Sequence, residues 1–229
     1  ASPEGRELAT AIVCAEGDDA GLFLTNFPPR GWLAHEALRA RRSDLIQLTL
    51  MGDRHGGSAV DYTVNARMGF PGITGTAAQG EVVNHVLPAW DIAAGLHMAL
   101  AVVAAERHWQ RTGQGQHVKL ALSDVAMATA ANLAFTADVE VNGQQRAPDG
   151  NQLYGAYGDS FATADGRHAM VVAITDRQWA ALLRATGFKT EVVTNGQVAE
   201  VDEGNPLDFI ATYQRRFKVA LRPGMPRFC

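Results

Sequence analysis

The sequence predicts an α/β fold: a large domain built on a parallel sheet, followed by a smaller α+β domain. Three observations carry this. Short apolar runs near 20–25, 45–50 and 118–122 are separated by helical patterns, as in βαβ units. A polar stretch, Asn142 to Asn151, interrupts the alternation. Beyond it, Asp165-Gly166 joins two strand patterns, a hairpin signal that belongs to antiparallel structure. The expected division is a large domain over 1–141, a linker over 142–152 and a small domain over 153–229.

The elements follow in order. Leu8, Ile12 and Val13 recur at helical spacing within Glu4 to Ala15. Ala20 to Thr25 reads as a buried strand, ended by Asn26-Phe27-Pro28-Pro29 because two prolines cannot continue a ladder. Leu33 to Arg41 is a helix candidate. Leu45 to Leu50 is the next buried strand, and Gly52-Asp53-Arg54-His55-Gly56-Gly57 is the loop after it. Ser58 to Pro88 reads as one long irregular stretch, of the kind that is functional or wraps around something. Pro88 precedes a helix whose core face is expected at Ile92, Leu96, Leu100 and Val103, with Gly113 as its stop. Val118, Leu120 and Leu122 alternate as a strand with one apolar face. Ser123 or Asp124 then caps an alanine-rich helix to about Ala137. In the small domain, Tyr154 to Ala164 and His168 to Ala173 form the hairpin, and Thr175 caps a helix to Thr186-Gly187. Past Phe188 only Leu207 to Phe217 reads as helical.

Composition narrows the function. With 47% hydrophobic residues, the 229-residue chain can bury a sizeable core. A net charge of -4 and a pI of about 6.0 give no basic footprint for nucleic acid. Arg215, Arg216, Lys218, Arg222 and Arg227 read as a solvated face. Cys14 and Cys229 make neither a disulfide framework nor a metal spacing, and suit a reducing cytoplasm. The apolar stretch from Ala93 to Ala105 falls short of a membrane span, and Ala11 to Ala15 is too short for a signal peptide. There is no phosphate-loop motif, no zinc spacing and no serine-nucleophile elbow.

Asp124 stands where a strand runs into a helix. Aspartate is among the best N-cap residues, so a cap alone accounts for it. The other reading is a nucleophile at the carboxyl edge of a parallel sheet, where α/β proteins place ligands. A helix dipole contributes only about 0.3–1 kcal/mol there and favours the charged form. Activation would come instead from desolvation in a closed pocket and from donors to the developing oxyanion. For Asp91, complementing the start of its helix stands beside a role as general acid/base or substrate contact. His55, in its glycine-rich loop, faces either solvent or a pocket. His85 is near Asp91 in sequence, with nothing to fix a dyad.

Arg111-Thr112-Gly113-Gln114-Gly115-Gln116, an alternating strand and then Asp124 resemble the signature of class III CoA-transferases, the CaiB/BaiF family. The resemblance, from roughly Gly5 to Gly187, implies that Asp124 is the nucleophile. Thr25-Asn26-Phe27 is similar to the family's Glu-Asn-Phe segment, which implies that Asn26 and Phe27 line the CoA site. The Asp91 helix matches in order and spacing. The stretches Ala20 to Pro28, Val60 to Asn65, Val82 to Asp91 and Gly150 to Ala156 are most similar to members that move CoA between the two carboxyl groups of 2-methylfumarate within one molecule. The implied route is an aspartyl mixed anhydride. Gly150, Asn151 and Gly155 would supply a flexible cover excluding water, unless they serve only as linker or hairpin entry.

The resemblance further implies a Rossmann-like large domain and an interlocked homodimer. Coenzyme A would enter as part of an acyl-CoA substrate, with no prosthetic group and no metal. The family has strand–helix units ahead of the point matching Ala1 and a returning segment not recognisable after Gly187, so an incomplete catalytic unit is expected. Three alternatives stay open: an intermolecular CoA-transferase using another acid, an α-methylacyl-CoA racemase-like enzyme, and a non-catalytic CoA-binding fragment. The racemases carry a histidine before the aspartate matching Asp61; here that position is Val60.

Overall fold

The computed structural model describes residues 2–76, 80–143, 146–148, 150–151, 153, 156–186, 191–194 and 197–200. The helix expected at Leu207 to Phe217, the basic run around Arg215 and the Tyr154 start of the hairpin lie outside them. The chain divides into two compact units. One comprises Ala1–Thr74 and Glu81–Ala147; the other comprises Gly75–Gly80 and Pro148–Cys229. A short piece from the middle of the first stretch thus goes with the second unit.

The first unit is a three-stranded parallel sheet in the order β1 (Leu22–Thr25), β2 (Ile46–Met51), β3 (His117–Ala121). The α/β class read from the sequence is the class observed. Among the described residues only β2 is paired on both sides, and Ile46, Gln47, Leu48 and Thr49 are all buried. β1 differs from expectation. It is an edge strand in which Leu22 and Leu24 stay exposed, because an apolar run alone does not distinguish a central strand from an edge. The buried polar groups of β2 are matched rather than stranded. Gln47 meets the His35 ring at 3.3 Å and donates to Leu33 O at 3.1 Å, while Thr49 Oγ1 lies 3.0 Å from His117 Nε2. The two histidine rings stack at 4.8 Å, and burial holds His117 below the ordinary histidine value.

α1 (Pro3–Val13) is capped by Ser2, whose Oγ accepts from Gly5 N at 3.1 Å. A 3₁₀ turn (Gly31–Leu33) and α2 (His35–Arg39) connect β1 to β2. The stretch 58–88 is not one irregular loop. It contains α3 (Asp61–Arg67) and α4 (Phe70–Ile73), which its glycines and Pro71 disguise in the sequence. Thr63 Oγ1 starts α3 by accepting from Val60 N at 3.0 Å.

α5 (Ala89–Thr112) corrects the largest sequence expectation. Its packed side is Trp90, Ala94, Met98 and Ala105, with Ala101, Val102 and Trp109 beside them. Ile92, Leu96, Leu100 and Val103 are 45–69% exposed. The two stripes are two residues apart, about 200° around the helix. The packed side mixes alanines with Trp90, Met98 and Trp109. Over its 24 residues, α5 is also long and apolar enough to cross a membrane by length and composition. That test failed only over 93–105. Gly113, left-handed at φ 69°, ends the helix as expected. Gly115 then passes Leu45 O so closely that a Cβ would sit 2.3 Å away, which gives this part of the glycine motif a packing role.

α6 (Leu122–Asn132) begins directly at the end of β3. It stops at Ala134, left-handed at φ 60°, and α7 (Phe135–Asn142) follows as a separate helix. In the second unit, β4 (Tyr157–Ala162) and β5 (His168–Ala173) form the expected antiparallel hairpin. Thr175 caps α8 (Asp176–Thr186): Gln178 N donates to Thr175 Oγ1 at 3.3 Å, and Gln178 Oε1 accepts from Thr175 N. β6 (Glu191–Thr194) and β7 (Gln197–Glu200) form a further hairpin that the sequence did not announce.

Candidate active site

Three chain segments leave the same end of the parallel sheet: the loop after β1, the loop after β2, and the start of α6 after β3. At a spacing of about 4.8 Å per strand, β1 and β3 end roughly 10 Å apart. This is the carboxyl edge, where open α/β sheets bind ligands.

The β2 loop is fastened at several points. Ser123 N donates to Gly52 O at 3.1 Å, tying the start of α6 to the loop. Gly52 lies under the Ala59 backbone, where an added Cβ would meet Ala59 N at 2.4 Å. Asp53, buried below the loop, accepts from His55 N at 2.8 Å and from Arg67 Nη1 at 2.8 Å. Those two donors, the His55 amide foremost, hold the Asp53 carboxyl below the ordinary carboxylate range. The fastened loop presents Arg54. Its Nε donates to Asp124 Oδ1 at 2.9 Å, across 70 residues of sequence.

Asp124 is not a cap. The N-cap of α6 is Ala121, which makes no side-chain cap, and Asp124 sits in the first turn. Among the described residues its hydrogen-bond partner is Arg54, and its side chain is 36% exposed. The neighbouring carboxylate holds Arg54 above its ordinary value. The carboxylate is therefore committed to no backbone group, as a nucleophile requires.

Asp91 does not cap its own helix either. Asp61, from the start of α3, does so: its Oδ2 accepts from Trp90 N at 2.8 Å and from Asp91 N at 3.1 Å. Asp61 is 2% exposed, and its Oδ1 is buried without a hydrogen-bond partner among the described residues. Asp91 itself is exposed. Beside it runs a network that sequence reasoning missed. Asn65 Oδ1 meets His85 Nε2 at 2.8 Å and accepts from Trp90 Nε1 at 3.1 Å, and Asn65 Nδ2 donates to Asn84. His85 is thus anchored edge-on to Trp90 rather than solvated. The only hint in the sequence was the close run of Asn84, His85 and Trp90.

Val64, Trp90, Ala94, Leu122, Val125 and Ala126 form one core cluster, so the starts of α3, α5 and α6 pack together. His55 is exposed next to Arg54. Asn26 and Phe27 lie on the exposed β1 loop, where Phe27 N donates to Thr25 Oγ1 at 3.0 Å. Gly150 and Asn151 belong to the second unit. Gly150 is left-handed at φ 65° against Thr76, and Asn151 Nδ2 donates to Ser160 Oγ at 3.0 Å. No cluster of three metal-ligating side chains occurs among the described residues.

Comparison with known proteins bears on this geometry. A family model described as CoA-transferase family III matches residues 1–214. The chain is similar to the 2-methylfumaryl-CoA isomerase of Chloroflexus aurantiacus, with 54% identity over 186 residues, 81% of this chain and 46% of that protein. It is also similar to the succinate–glutarate CoA-transferase of Agrobacterium fabrum, 32% identical over 140 residues, 57% of this chain and 34% of that protein. A crystal structure of a CaiB/BaiF family protein from Brucella suis superposes with a TM-score of 0.65 at 24% identity, covering 81% of this chain and 50% of the other. That last likeness shows the fold. The chain spans about half the length, or less, of the curated relatives it matches.

Proposed function

The chain belongs to CoA-transferase family III, a family of enzymes, and on that premise we propose that it moves CoA between the two carboxyl groups of 2-methylfumarate through Asp124. The observation that carries the proposal is the state of Asp124, a carboxylate at the sheet's carboxyl edge that serves no cap.

In this reading an Asp124 oxygen attacks the thioester carbonyl. A C–O bond forms, the C–S bond breaks, and CoA leaves as the thiolate. The thiolate then attacks the aspartyl carbonyl of the mixed anhydride. This puts CoA on Asp124 as a thioester and frees 2-methylfumarate as a dianion. The dianion turns, and its other carboxylate attacks the aspartyl thioester, expelling CoA thiolate and re-forming the anhydride. The thiolate then attacks the substrate acyl carbonyl, and Asp124 leaves as the free carboxylate. Net charge is unchanged at each step. Keeping both fragments together supplies the rate through proximity. Asn26 and Phe27, at the same sheet edge, are assigned to CoA contact, and Asp91 and His55 to the rim of the site.

Two further assignments go with the proposal. The uncovered stripe Ile92, Leu96, Leu100 and Val103 is assigned to contact with a second copy, since a helix apolar on all sides is buried in its working state. A cytoplasmic location follows the cysteine reading. Racemisation gains no support: Val60 occupies the histidine position, and Asp61 is spent on capping α5. An intermolecular CoA-transferase is favoured by one observation, the likeness to the succinate–glutarate enzyme.

Isotope exchange separates the two transfers. The full chain is given 2-methylfumaryl-CoA together with carbon-13-labelled free 2-methylfumarate. Intramolecular transfer yields the isomeric thioester with no label, and labelled thioester indicates intermolecular transfer. A chain that produces no isomer contradicts the proposal. Leu100→Arg should turn the dimer into a monomer in sedimentation; an unchanged mass removes that assignment.

A further inference from the structure

Arg54 is left over by the reading above: an exposed cation, fixed in place, against the residue that is meant to react. We propose that Arg54 is a substrate-binding residue that clamps the free carboxylate of the dicarboxylic acyl group, trading partners with Asp124 during the reaction. This rests on the proposed chemistry at Asp124 and deepens it.

The first ground is that stability does not explain the pair. Arg54 and Asp124 are 63% and 36% exposed, and exposed ion pairs contribute little net stability. Yet the loop carrying Arg54 is held at Gly52 by Ser123, and at Asp53 by His55 N and Arg67. The fold spends its fastenings on the neighbours and leaves Arg54 itself outside.

Unused donor capacity is the second ground. A guanidinium has five N–H donors, and Asp124 takes one, from Nε. Among the described residues no other hydrogen bond engages Arg54. The two Nη groups can therefore donate to a second carboxylate end-on, in the bidentate manner that suits arginine.

Timing is the third. While Asp124 is a free carboxylate, it competes for Arg54. Once acylated, whether as anhydride or as CoA thioester, it carries no charge and releases the cation. At the thioester stage 2-methylfumarate is a dianion with no covalent tether. The whole guanidinium, Nε and its full charge included, becomes available at the step where the substrate would otherwise escape. One arginine thus holds the nucleophile in the empty enzyme and the substrate in the loaded one. The clamp also selects acyl groups with a second carboxylate over those that end in a methyl group.

The test is calorimetric titration of the full chain with 2-methylfumarate and with tiglate, in which one carboxylate is replaced by methyl. In Asp124→Asn, Arg54 loses its competitor, and 2-methylfumarate should bind at least about 3-fold tighter than to the unaltered chain. Adding Arg54→Gln should weaken that binding about 10-fold or more and bring it close to tiglate, while Arg54→Lys recovers part of it. Unchanged affinity in Arg54→Gln, with circular dichroism showing a folded protein, overturns the clamp; so does failure of 2-methylfumarate to bind at all. Mass spectrometry of Asp124 after exposure to 2-methylfumaryl-CoA reports separately on the anhydride. An acylated Asp124 with diacid affinity indifferent to Arg54 defeats the clamp alone. An unmodified Asp124 with Arg54-dependent affinity defeats the anhydride alone.

Discussion

Two of the carboxylates found at helix starts in the first unit, Asp61 and Asp124, do opposite work. Asp61 is buried at the start of α5, with one oxygen shared between the Trp90 and Asp91 amides. Asp124 lies in the first turn of α6, partly exposed, held by an arginine and, among the described residues, by no backbone group. Both positions complement a helix dipole, so dipole arguments cannot tell them apart. Commitment does: the carboxylate that satisfies the backbone is structural, and the uncommitted one is available to react. Aspartate at a helix start is thus weak evidence until its hydrogen bonds are known.

The sharpest way to break this contrast is to remove each charge. Asp124→Asn should lower turnover of 2-methylfumaryl-CoA by at least about 10³-fold, because the nucleophile itself is lost. Its urea unfolding midpoint should stay where it is. Asp61→Ala should do the reverse in stability, costing about 1–3 kcal/mol in urea unfolding as two buried amides of α5 lose their acceptor. Equal destabilisation by the two substitutions would erase the distinction.

Acid provides a smaller test. Asp53 has a folded-state value below its unfolded one, chiefly through the His55 amide and Arg67. Its stabilisation is present above the unfolded value of 3.8 and is lost as pH falls through the folded value. Asp53→Asn should flatten the loss of stability as pH falls below about 4 in a series of thermal melts. His117, depressed by burial, works in the same direction higher up: its contribution is full above 6.5 and fades as pH falls below that toward its folded value. His117→Gln should therefore flatten the melting curve just below neutrality.

Much of this was legible in the sequence. The parallel strands, the β4–β5 hairpin, the Gly113 stop and the Thr175 cap all rest on local signals, and local signals survive in one dimension. What failed was anything decided by a partner distant in the chain. The apolar pattern of α5 was visible, but Leu96 and Leu100 outrank Ala94 in hydrophobicity, while the packed face is decided by contacts with residues far along the chain such as Ile46, Leu48 and Val64. Local signals left Asp124 open between cap and nucleophile because its partner, Arg54, is 70 residues away. Asp61 read as unremarked loop because the amides it accepts from are 29 and 30 residues on. The family signature pointed to Asp124 without revealing that arginine.

The account stands on Asp124 acting as a nucleophile, and the covalent intermediate tests this directly. The full chain is mixed with 2-methylfumaryl-CoA, quenched within milliseconds to seconds, digested and examined by mass spectrometry. The account predicts that the peptide containing Asp124 gains the mass of one 2-methylfumaryl group or of CoA, and that the same peptide from Asp124→Asn gains neither. Isomer formation at the normal rate by Asp124→Asn, with no modified peptide in either protein, would contradict it.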